Sequence, residues 1–289
     1  MIFNNVKKYF SLVTFSHTLF AMPFALIGYI LAVKKEGFGF SWSLLLMVVL
    51  CMVFARNAAM AFNRYIDREI DKKNPRTSLR EIPLKILSPS SALMFVFINS
   101  VLFISVTWFM TKLVFILSPV ALMVILGYSF TKRFTSLCHF VLGLGLSLAP
   151  IGAFLSVTGY FGAVPLLFSF TVLFWVSGFD IIYALQDEDF DKKNALRSIP
   201  VVLGRKKSLF LSSFLHLIST VFLIFAGIVG SFGFLFWTGF LIFILLLVYQ
   251  HSIVKINDLS KVNMAFATLN GFASVIFATF AIIDILLSK

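Results

Sequence analysis

Acidic side chains are scarce in this chain, and most of them lie in two short stretches. Of the twelve acidic residues, eight fall within residues 67–71 and 180–191. Asn63, Asp67 and Asp71 follow one another at intervals of four. Because residues four apart lie on the same face of an α-helix, this spacing predicts that their polar ends project along one stripe.

The second stretch repeats the pattern. Asp180, Tyr183, Asp187 and Asp191 are separated by steps of three, four and four, which again predicts one stripe on a helix. A simpler interpretation of such charges is a solvated helix end with ion pairs along its surface. We prefer that interpretation for three other acids of these stretches: Glu69, Glu188 and Asp189.

Clustered carboxylates repel one another and are costly to desolvate near a membrane interface. A divalent cation relieves both costs, and Mg²⁺ typically binds through one or two carboxylates together with substrate phosphates. Two facing acidic stripes therefore predict a Mg²⁺-dependent site for a diphosphate. Neighbouring basic residues complete the predicted diphosphate clamp: Arg64, Arg68, Lys72, Arg76, Lys132, Arg133, Lys192 and Arg197.

The composition shows which class of protein must carry these stripes. The chain has 289 residues, of which 60% are hydrophobic and 12% are charged, and its mean hydropathy is +1.00. A soluble domain carries about 25% charged residues, so this composition excludes a water-soluble globule. It also excludes a disordered chain, and two cysteines are too few for a disulfide scaffold.

Apolar runs long enough to cross a bilayer as helices recur along the chain, since such a helix needs about 20 residues. We identify nine of them, at residues 12–33, 42–62, 90–110, 113–131, 137–158, 163–182, 209–229, 231–249 and 263–287. The predicted fold is all-α, a polytopic membrane protein whose nine transmembrane helices form one bundle. No stretch is left for a soluble domain, so residues 1–289 are expected to form one domain.

The basic residues predict the orientation of this bundle. The formal net charge is +12, and 20 of the 24 lysines and arginines lie on one side of the membrane, at the N-terminus, in connections or, for Arg56, just inside the second helix. Because lysine and arginine concentrate in cytoplasmic loops, the N-terminus and both acidic stretches are predicted to face the cytoplasm. The expected location is the cell inner (plasma) membrane, with the lipid bilayer and no nucleic acid as a partner.

At the two acidic stretches the chain resembles the UbiA superfamily of intramembrane prenyltransferases. Residues 63–71 read NRYIDREID and continue into KKNPRT, and residues 178–200 read GFDIIYALQDEDFDKKNALRSIP. Members of this family have nine helices, with the two motifs on the second and sixth. The opening SHTLFAMPFAL, residues 16–26, is similar to the branch that uses aromatic acceptors.

The resemblance implies roles for individual residues. Asn63, Asp67, Asp71, Asp187 and Asp191 are expected to hold Mg²⁺ and the allylic diphosphate, and the four aspartates are the expected catalytic residues. Lys132 is expected to bind the departing diphosphate, with Tyr128 beside the carbocation. The further expected substrate-binding residues are Asn63, Arg76, Arg133, Asp180, Tyr183, Lys192 and Arg197. Arg56 lies two helical turns before Asn63, where it either binds the acceptor's carboxylate or forms a purely structural ion pair.

The implied reaction transfers a polyprenyl group from polyprenyl diphosphate to a carbon of an aromatic acceptor in membrane quinone biosynthesis. The expected acceptor is 4-hydroxybenzoate, with 1,4-dihydroxy-6-naphthoate of the menaquinone pathway as the alternative. His17 stands where some relatives carry another polar residue, which leaves the acceptor open. A further departure is that Leu84, rather than the usual glycine, follows Arg80-Glu81-Ile82-Pro83.

A different class of function, a cation-coupled transporter, also places ionisable residues within a membrane. Transporters usually hold such residues near the bilayer midplane beside broken helices, whereas these aspartates are predicted at one interface. The basic residues around them also suit a polyanion better than a cation pathway.

Overall fold

A computed structural model describes residues 20–288, and within that range the chain is helical and forms no β-strand. The α-helices are α1 (Met22–Lys34), α2 (Trp42–Lys73), α3 (Pro89–Trp108), α4 (Lys112–Thr131), α5 (Cys138–Thr158), α6 (Ala163–Ala184), α7 (Glu188–Lys193), α8 (Ile199–Val229), α9 (Phe234–Ile253) and α10 (Asn270–Leu287). A 3₁₀ turn, Leu185–Asp187, joins α6 to α7, and a π-helix, Met264–Leu269, precedes α10.

The predicted all-α membrane fold is confirmed. Eight helical segments of the described range are long and apolar enough to cross a membrane, and α1 is a shorter apolar helix. Each of the nine predicted spans coincides with one of these. The predicted first span begins at residue 12, and its start lies outside the described residues, as do His17 and the opening of the motif at residues 16–26. The predicted orientation of the N-terminus stays a prediction.

Two helices are longer than hydropathy predicts. The second apolar run ends at residue 62, but α2 continues to Lys73 and carries the whole first motif. The seventh run begins at residue 209, but α8 begins at Ile199 and is interrupted at Gly204, whose φ of 72° is one that glycine adopts without strain. Hydropathy detects only the part of a helix that matches lipid, so polar extensions of these helices escape it.

The prediction of one continuous helical stripe from Asp180 to Asp191 is wrong. Helix α6 ends at Ala184, the chain tightens into the 3₁₀ turn, and α7 then carries Asp191. The turn ends at Asp187, whose carboxylate accepts hydrogen bonds from Asn74 and Arg76 of another segment. The 3₁₀ turn thus lies where the second motif contacts the loop after α2.

Serine residues cap the helices that begin next to polar loops. The hydroxyl oxygens of Ser41, Ser88 and Ser198 accept hydrogen bonds from backbone N–H groups in the first turns of α2, α3 and α8. Each cap satisfies one of the amides that a helix start leaves unpaired, and the proline that follows Ser88 has no N–H to leave unpaired.

An aromatic core joins α1, α6, α9 and α10. Phe24, Phe168, Trp175 and Phe277 are fully buried and pack with their ring centroids 5.6–6.4 Å apart. The indole N–H of Trp175 donates to Asn270 Oδ1 at 3.0 Å, so the polar atom of this core is satisfied. Helix α6, which carries the start of the second motif, also packs closely against α5 and α8.

Candidate active site

The two acidic motifs face each other, and the loop that follows α2 connects them. Asn74 Nδ2 donates to Asp187 Oδ1 at 3.0 Å, just after the first motif ends. Two residues later, Arg76 donates from Nε to Asp187 Oδ1 at 3.0 Å and from Nη2 to Oδ2 at 2.5 Å. The loop that follows the first motif therefore contacts the second motif directly.

Each of the four motif aspartates has a basic partner. Arg133 Nη2 lies 3.0 Å from Asp67 Oδ1, Arg80 Nη1 lies 2.8 Å from Asp71 Oδ1, and Lys132 Nζ lies 2.7 Å from Asp191 Oδ2. Arg76 is the partner of Asp187. These cations come from the loop after α2 and from the end of α4, so two separate segments neutralise the carboxylates.

The cations remain charged although they are partly buried. Burial alone would lower the pKa of Lys132, but the neighbouring carboxylate of Asp191 outweighs it and raises that pKa above its usual value. The same balance holds for Arg76. Burial would lower its pKa, but the hydrogen bonds to Asp187 outweigh burial and raise it. Fixed positive charge beside the aspartates suits a ligand that is itself strongly anionic.

Asn63 lies on the same stripe as Asp67, as the spacing predicts. Its Nδ2 donates to Asp67 Oδ2 at 2.9 Å. This bond orients the amide and leaves its carbonyl oxygen available beside the carboxylate. Asp71, one turn further along α2, is 4% exposed and is held between its own helix and Arg80.

The donor atoms here fit Mg²⁺. They are carboxylate and amide oxygens, which are the hard ligands that Mg²⁺ prefers. Within residues 20–288, no three His, Cys, Asp or Glu side chains converge closely enough to enclose a metal by themselves. That spread suits an ion that binds through one or two carboxylates and completes its shell with water and substrate phosphate.

A cavity of about 830 Å³ opens beside the motifs and continues between the helices. Its polar end is lined by Asn63, Asp67, Lys132 and Asp187, and its far end by apolar residues that include Met110, Leu155 and Phe161. The lining stretch of α5, from His139 to Ser156, covers about 25 Å at 1.5 Å per residue. The cavity is therefore long and apolar, with charge at one end.

Tyrosine rings line the cavity close to its charged end. Tyr128 of α4 and Tyr183 of α6 both contribute to the wall. The hydroxyl of Tyr183 accepts a hydrogen bond from Arg76 Nη1 at 2.9 Å, and its ring stacks on Phe266 with centroids 4.1 Å apart. Phe266 belongs to the π-helix, a rare geometry that often occurs at functional sites.

A protein-family model shows which family this chain belongs to. The model of the UbiA prenyltransferase family matches residues 21–276, which is most of the chain. The chain belongs to the UbiA prenyltransferase family. It is therefore an enzyme and a multi-pass membrane protein, and the transporter alternative is not supported.

Two curated relatives of this UbiA-family chain carry the same name. It is 30% identical over 237 residues to the 4-hydroxybenzoate octaprenyltransferase of Nitrosomonas europaea, a match that covers 81% of this chain and 80% of that one. It is 27% identical over 236 residues to the 4-hydroxybenzoate octaprenyltransferase of Aliivibrio fischeri strain MJ11, with 82% of each chain covered.

Solved UbiA structures share the fold. A UbiA homolog from Aeropyrum pernix, in its apo form, superposes with a TM-score of 0.84 at 28% identity and covers 93% of this chain and 98% of its own. A UbiA homolog from Archaeoglobus fulgidus, bound to GPP and Mg²⁺, has a TM-score of 0.71 at 18% identity and covers 97% of this chain and 100% of its own.

Some of the predicted site residues of this UbiA-family chain line the cavity and others do not. Those that line it are Arg56, Asn63, Asp67, Arg76, Tyr128, Lys132, Asp180, Tyr183 and Asp187. Asp71, Asp191 and Arg133 lie directly behind this wall and contact it through their ion-pair partners. Arg56 donates from Nη2 to the sulfur of Met60 at 3.0 Å, within its own helix.

Two predicted basic residues point elsewhere in this structure. The side chain of Lys192 is exposed. Arg197 donates from Nη1 to the carbonyl of Phe134 at 2.9 Å, so it fastens the loop before α8 to the end of α4. Neither residue lines the cavity. Their predicted contact with the diphosphate stays a prediction.

Several site residues were not predicted from the sequence. Asn74 and Arg80 bind motif aspartates from the loop after α2, and the only local signal for them is their position just beyond the first motif. His139 contacts Asp180 at a sequence separation of 41, and its lack of metal-ligand spacing gave no reason to select it. A residue that acts through one distant partner leaves no periodic pattern in the sequence.

Proposed function

We propose that this enzyme transfers a polyprenyl group from polyprenyl diphosphate to a ring carbon of an aromatic acid, with 4-hydroxybenzoate as acceptor and Mg²⁺ as cofactor. The observation that carries the proposal is the pair of aspartate motifs, each aspartate with its own cation, at the charged end of a long apolar cavity. A molecule with an anionic head and an apolar tail has the matching shape and charge. The names of the curated relatives support the choice of acceptor.

The residues expected to hold the metal are Asn63, Asp67, Asp71, Asp187 and Asp191. When bound, Mg²⁺ neutralises charge on the diphosphate as a Lewis acid. Arg76 and Lys132 add positive charge at the same end of the cavity and stabilise the leaving group as the allylic C–O bond breaks. Stabilising charge that develops in the transition state is what lowers the barrier.

The aromatic side chains act on the other product of that bond cleavage, the allylic cation. Tyr128 and Tyr183 line the cavity near its charged end, where the cation would form, and aromatic rings attract positive charge. The apolar remainder of the cavity excludes water and so protects the cation from hydrolysis. Arg56 lines the same cavity, which supports its proposed role of binding the carboxylate of the acceptor.

The cellular arrangement is part of the proposal. We infer that residues 1–289 form a single domain in the cell's inner membrane and that the charged end of the cavity faces the cytoplasm. The distribution of basic residues supports this orientation, because the segments that neutralise the aspartates are also those rich in lysine and arginine.

The test is a transfer assay in membranes that contain the protein. Polyprenyl diphosphate, Mg²⁺ and radiolabelled 4-hydroxybenzoate are supplied, and lipid-soluble label is extracted and counted. Labelled 1,4-dihydroxy-6-naphthoate is assayed in parallel. Product from the hydroxybenzoate supports the proposal, and product from the naphthoate alone changes the acceptor but keeps the reaction. Absence of product from both, beside an active positive control, rejects the proposed reaction.

A further inference from the structure

Asp180 differs from the four motif aspartates in its partner. Those four each contact a lysine or an arginine, whereas Asp180 Oδ2 lies 2.7 Å from Nδ1 of His139. Both residues line the cavity, and both are largely buried, with His139 at 2% and Asp180 at 9% exposure. The pair thus forms a second polar feature of the cavity wall, separate from the cation-bound aspartates.

The hydrogen bonds of His139 determine which of its nitrogens carries the proton. The backbone N–H of Ile199 donates to His139 Nε2 at 3.4 Å, so Nε2 presents its lone pair. A neutral imidazole with an acceptor at Nε2 carries its proton at Nδ1. His139 therefore donates from Nδ1 to Oδ2 of Asp180, which requires the carboxylate to accept.

The second oxygen of Asp180 is left for a ligand. No residue between 20 and 288 makes a hydrogen bond to Oδ1 of Asp180, and the side chain keeps 13% of its surface exposed where it lines the cavity. Because the carboxylate lines the cavity and His139 bonds only its Oδ2, the second oxygen is open to a hydrogen bond from a ligand in the cavity.

Close contact between α5 and α6 holds the pair in place. A Cβ on Gly143 would lie 2.5 Å from the carbonyl oxygen of Leu173 and 2.5 Å from Ser177 Oγ, so only glycine allows the helices to approach this closely. His139 lies one turn before Gly143, and Asp180 lies about one turn after Ser177. The packing therefore brings the imidazole and the carboxylate together across the helix interface.

We propose that Asp180, oriented by His139, accepts the hydroxyl proton of the aromatic acceptor. This inference rests on the proposed function and extends it by assigning a proton acceptor and by requiring an acceptor with a free hydroxyl beside the attacked carbon. Asp180 is the catalytic residue of the pair, and His139 is a positioning residue. Tyr128, the residue expected beside the allylic cation, lines the same cavity as Asp180.

The proton balance follows from these positions. The O–H bond of the acceptor breaks, its proton goes to Asp180 Oδ1, and the ring becomes an electron-rich phenolate. Its ortho carbon forms the new C–C bond as the allylic C–O bond breaks, and that electron pair leaves with the diphosphate. The ring C–H proton then goes to the released diphosphate, while Asp180 returns its proton to the ring oxygen and is an ionised carboxylate again.

Asp180→Asn is the direct test, because an amide cannot accept this proton. General-base catalysis contributes about 10²–10⁴-fold, so kcat should fall by about that factor while KM for polyprenyl diphosphate is unchanged. The ratio of wild-type kcat to that of Asp180→Asn should be at least tenfold smaller with 3-fluoro-4-hydroxybenzoate, because its more acidic hydroxyl depends less on a base. Asp189→Asn, the same substitution at an exposed carboxylate that does not line the cavity, is the matched control and should keep its kcat. If the wild type uses the naphthoate, the same comparison is made between the naphthoate and a fluorinated naphthoate.

His139 is tested by a pair of substitutions. A glutamine at this position can donate to Asp180 and accept from Ile199, so His139→Gln should keep kcat within about threefold of wild type, whereas His139→Leu should lose most of it. Asp180→Asn with near-normal kcat, or an equal deficit with both acceptors, overturns the inference while leaving the proposed function intact. A wild type that prenylates no aromatic acid contradicts the proposed function itself.

Discussion

Arg76 and Asp187 are joined by two parallel hydrogen bonds, from Nε to Oδ1 at 3.0 Å and from Nη2 to Oδ2 at 2.5 Å, across 111 residues of sequence. The same guanidinium donates from Nη1 to the hydroxyl of Tyr183. One side chain from the loop after the first motif thus orients both the carboxylate and an aromatic ring of the second.

Replacing Arg76 with lysine keeps the positive charge but loses the bidentate hydrogen bond to Asp187. Residues that orient metal-binding carboxylates typically contribute 10–100-fold to metal affinity or activity, so we expect a loss of about that size, expressed mainly as a higher Mg²⁺ requirement. The measurement is prenyl transfer against Mg²⁺ concentration. Lys193→Gln, an exposed residue of α7, is the control and should match wild type. An unchanged Mg²⁺ dependence in Arg76→Lys would contradict the positioning role.

The motif aspartates themselves should be far more sensitive. Asp67→Asn and Asp187→Asn keep size and remove charge, and each should reduce Mg²⁺-dependent turnover by at least about 100-fold, because a predicted metal ligand is lost. Asp189→Asn is the matched control, since Asp189 belongs to the second stretch but is 83% exposed and faces Arg205. Comparable losses in all three variants would show that the negative charge of these stretches matters, and not the positions of Asp67 and Asp187.

The ring of Tyr128, rather than its hydroxyl, should support the allylic cation. Tyr128→Phe should keep most activity, and Tyr128→Leu should lose about tenfold or more, in line with a cation–π contribution of about 1–2 kcal/mol in a desolvated site. Single-turnover rates with bound polyprenyl diphosphate separate this effect from product release. Equal rates in the leucine and phenylalanine variants would exclude a role for the ring.

The carboxylate of Asp191 should stabilise the charged form of Lys132 over the whole physiological pH range, although burial raises the pKa of that carboxylate itself. The pKa of Lys132 is raised in the folded protein, so the stabilisation is complete below the unfolded value of about 10.4 and is lost as pH rises through the higher folded value. The thermal midpoints of wild type and Lys132→Met should therefore differ by a constant amount from about pH 7 to 9 and converge only above about pH 10.5. Convergence already between pH 7 and 9 would mean that the pair does not contribute in this way.

The orientation in the membrane can be tested by labelling single cysteines. Cys51 and Cys138 are first replaced by alanine, and a cysteine is then introduced at Lys34 or Lys193, both of which are exposed and lie near opposite ends of the bundle. In intact cells, an impermeant maleimide should label position 34 and not position 193. Inverted vesicles should give the reverse pattern. The opposite result in both preparations would place the aspartate motifs outside the cytoplasm.

The sequence by itself determined the helical membrane fold and the two motifs, because both depend on local periodicity. An apolar run of about 20 residues requires a spanning helix in any tertiary context, and a four-residue interval places Asn63 and Asp67 on one face of α2. The resemblance of the two motifs to the UbiA superfamily was visible for the same reason, since each motif is a short continuous stretch.

The partners of the site residues depend on tertiary packing. Arg76 reaches Asp187, Lys132 reaches Asp191 and His139 reaches Asp180 because the ends of α2, α4, α5 and α6 converge, and no period in the sequence encodes that convergence. The break after Ala184 also has no periodic signal in the sequence. Periodicity fixes the direction of a side chain relative to its own helix, whereas partners are set by how helices pack, which depends on residues far apart in the chain.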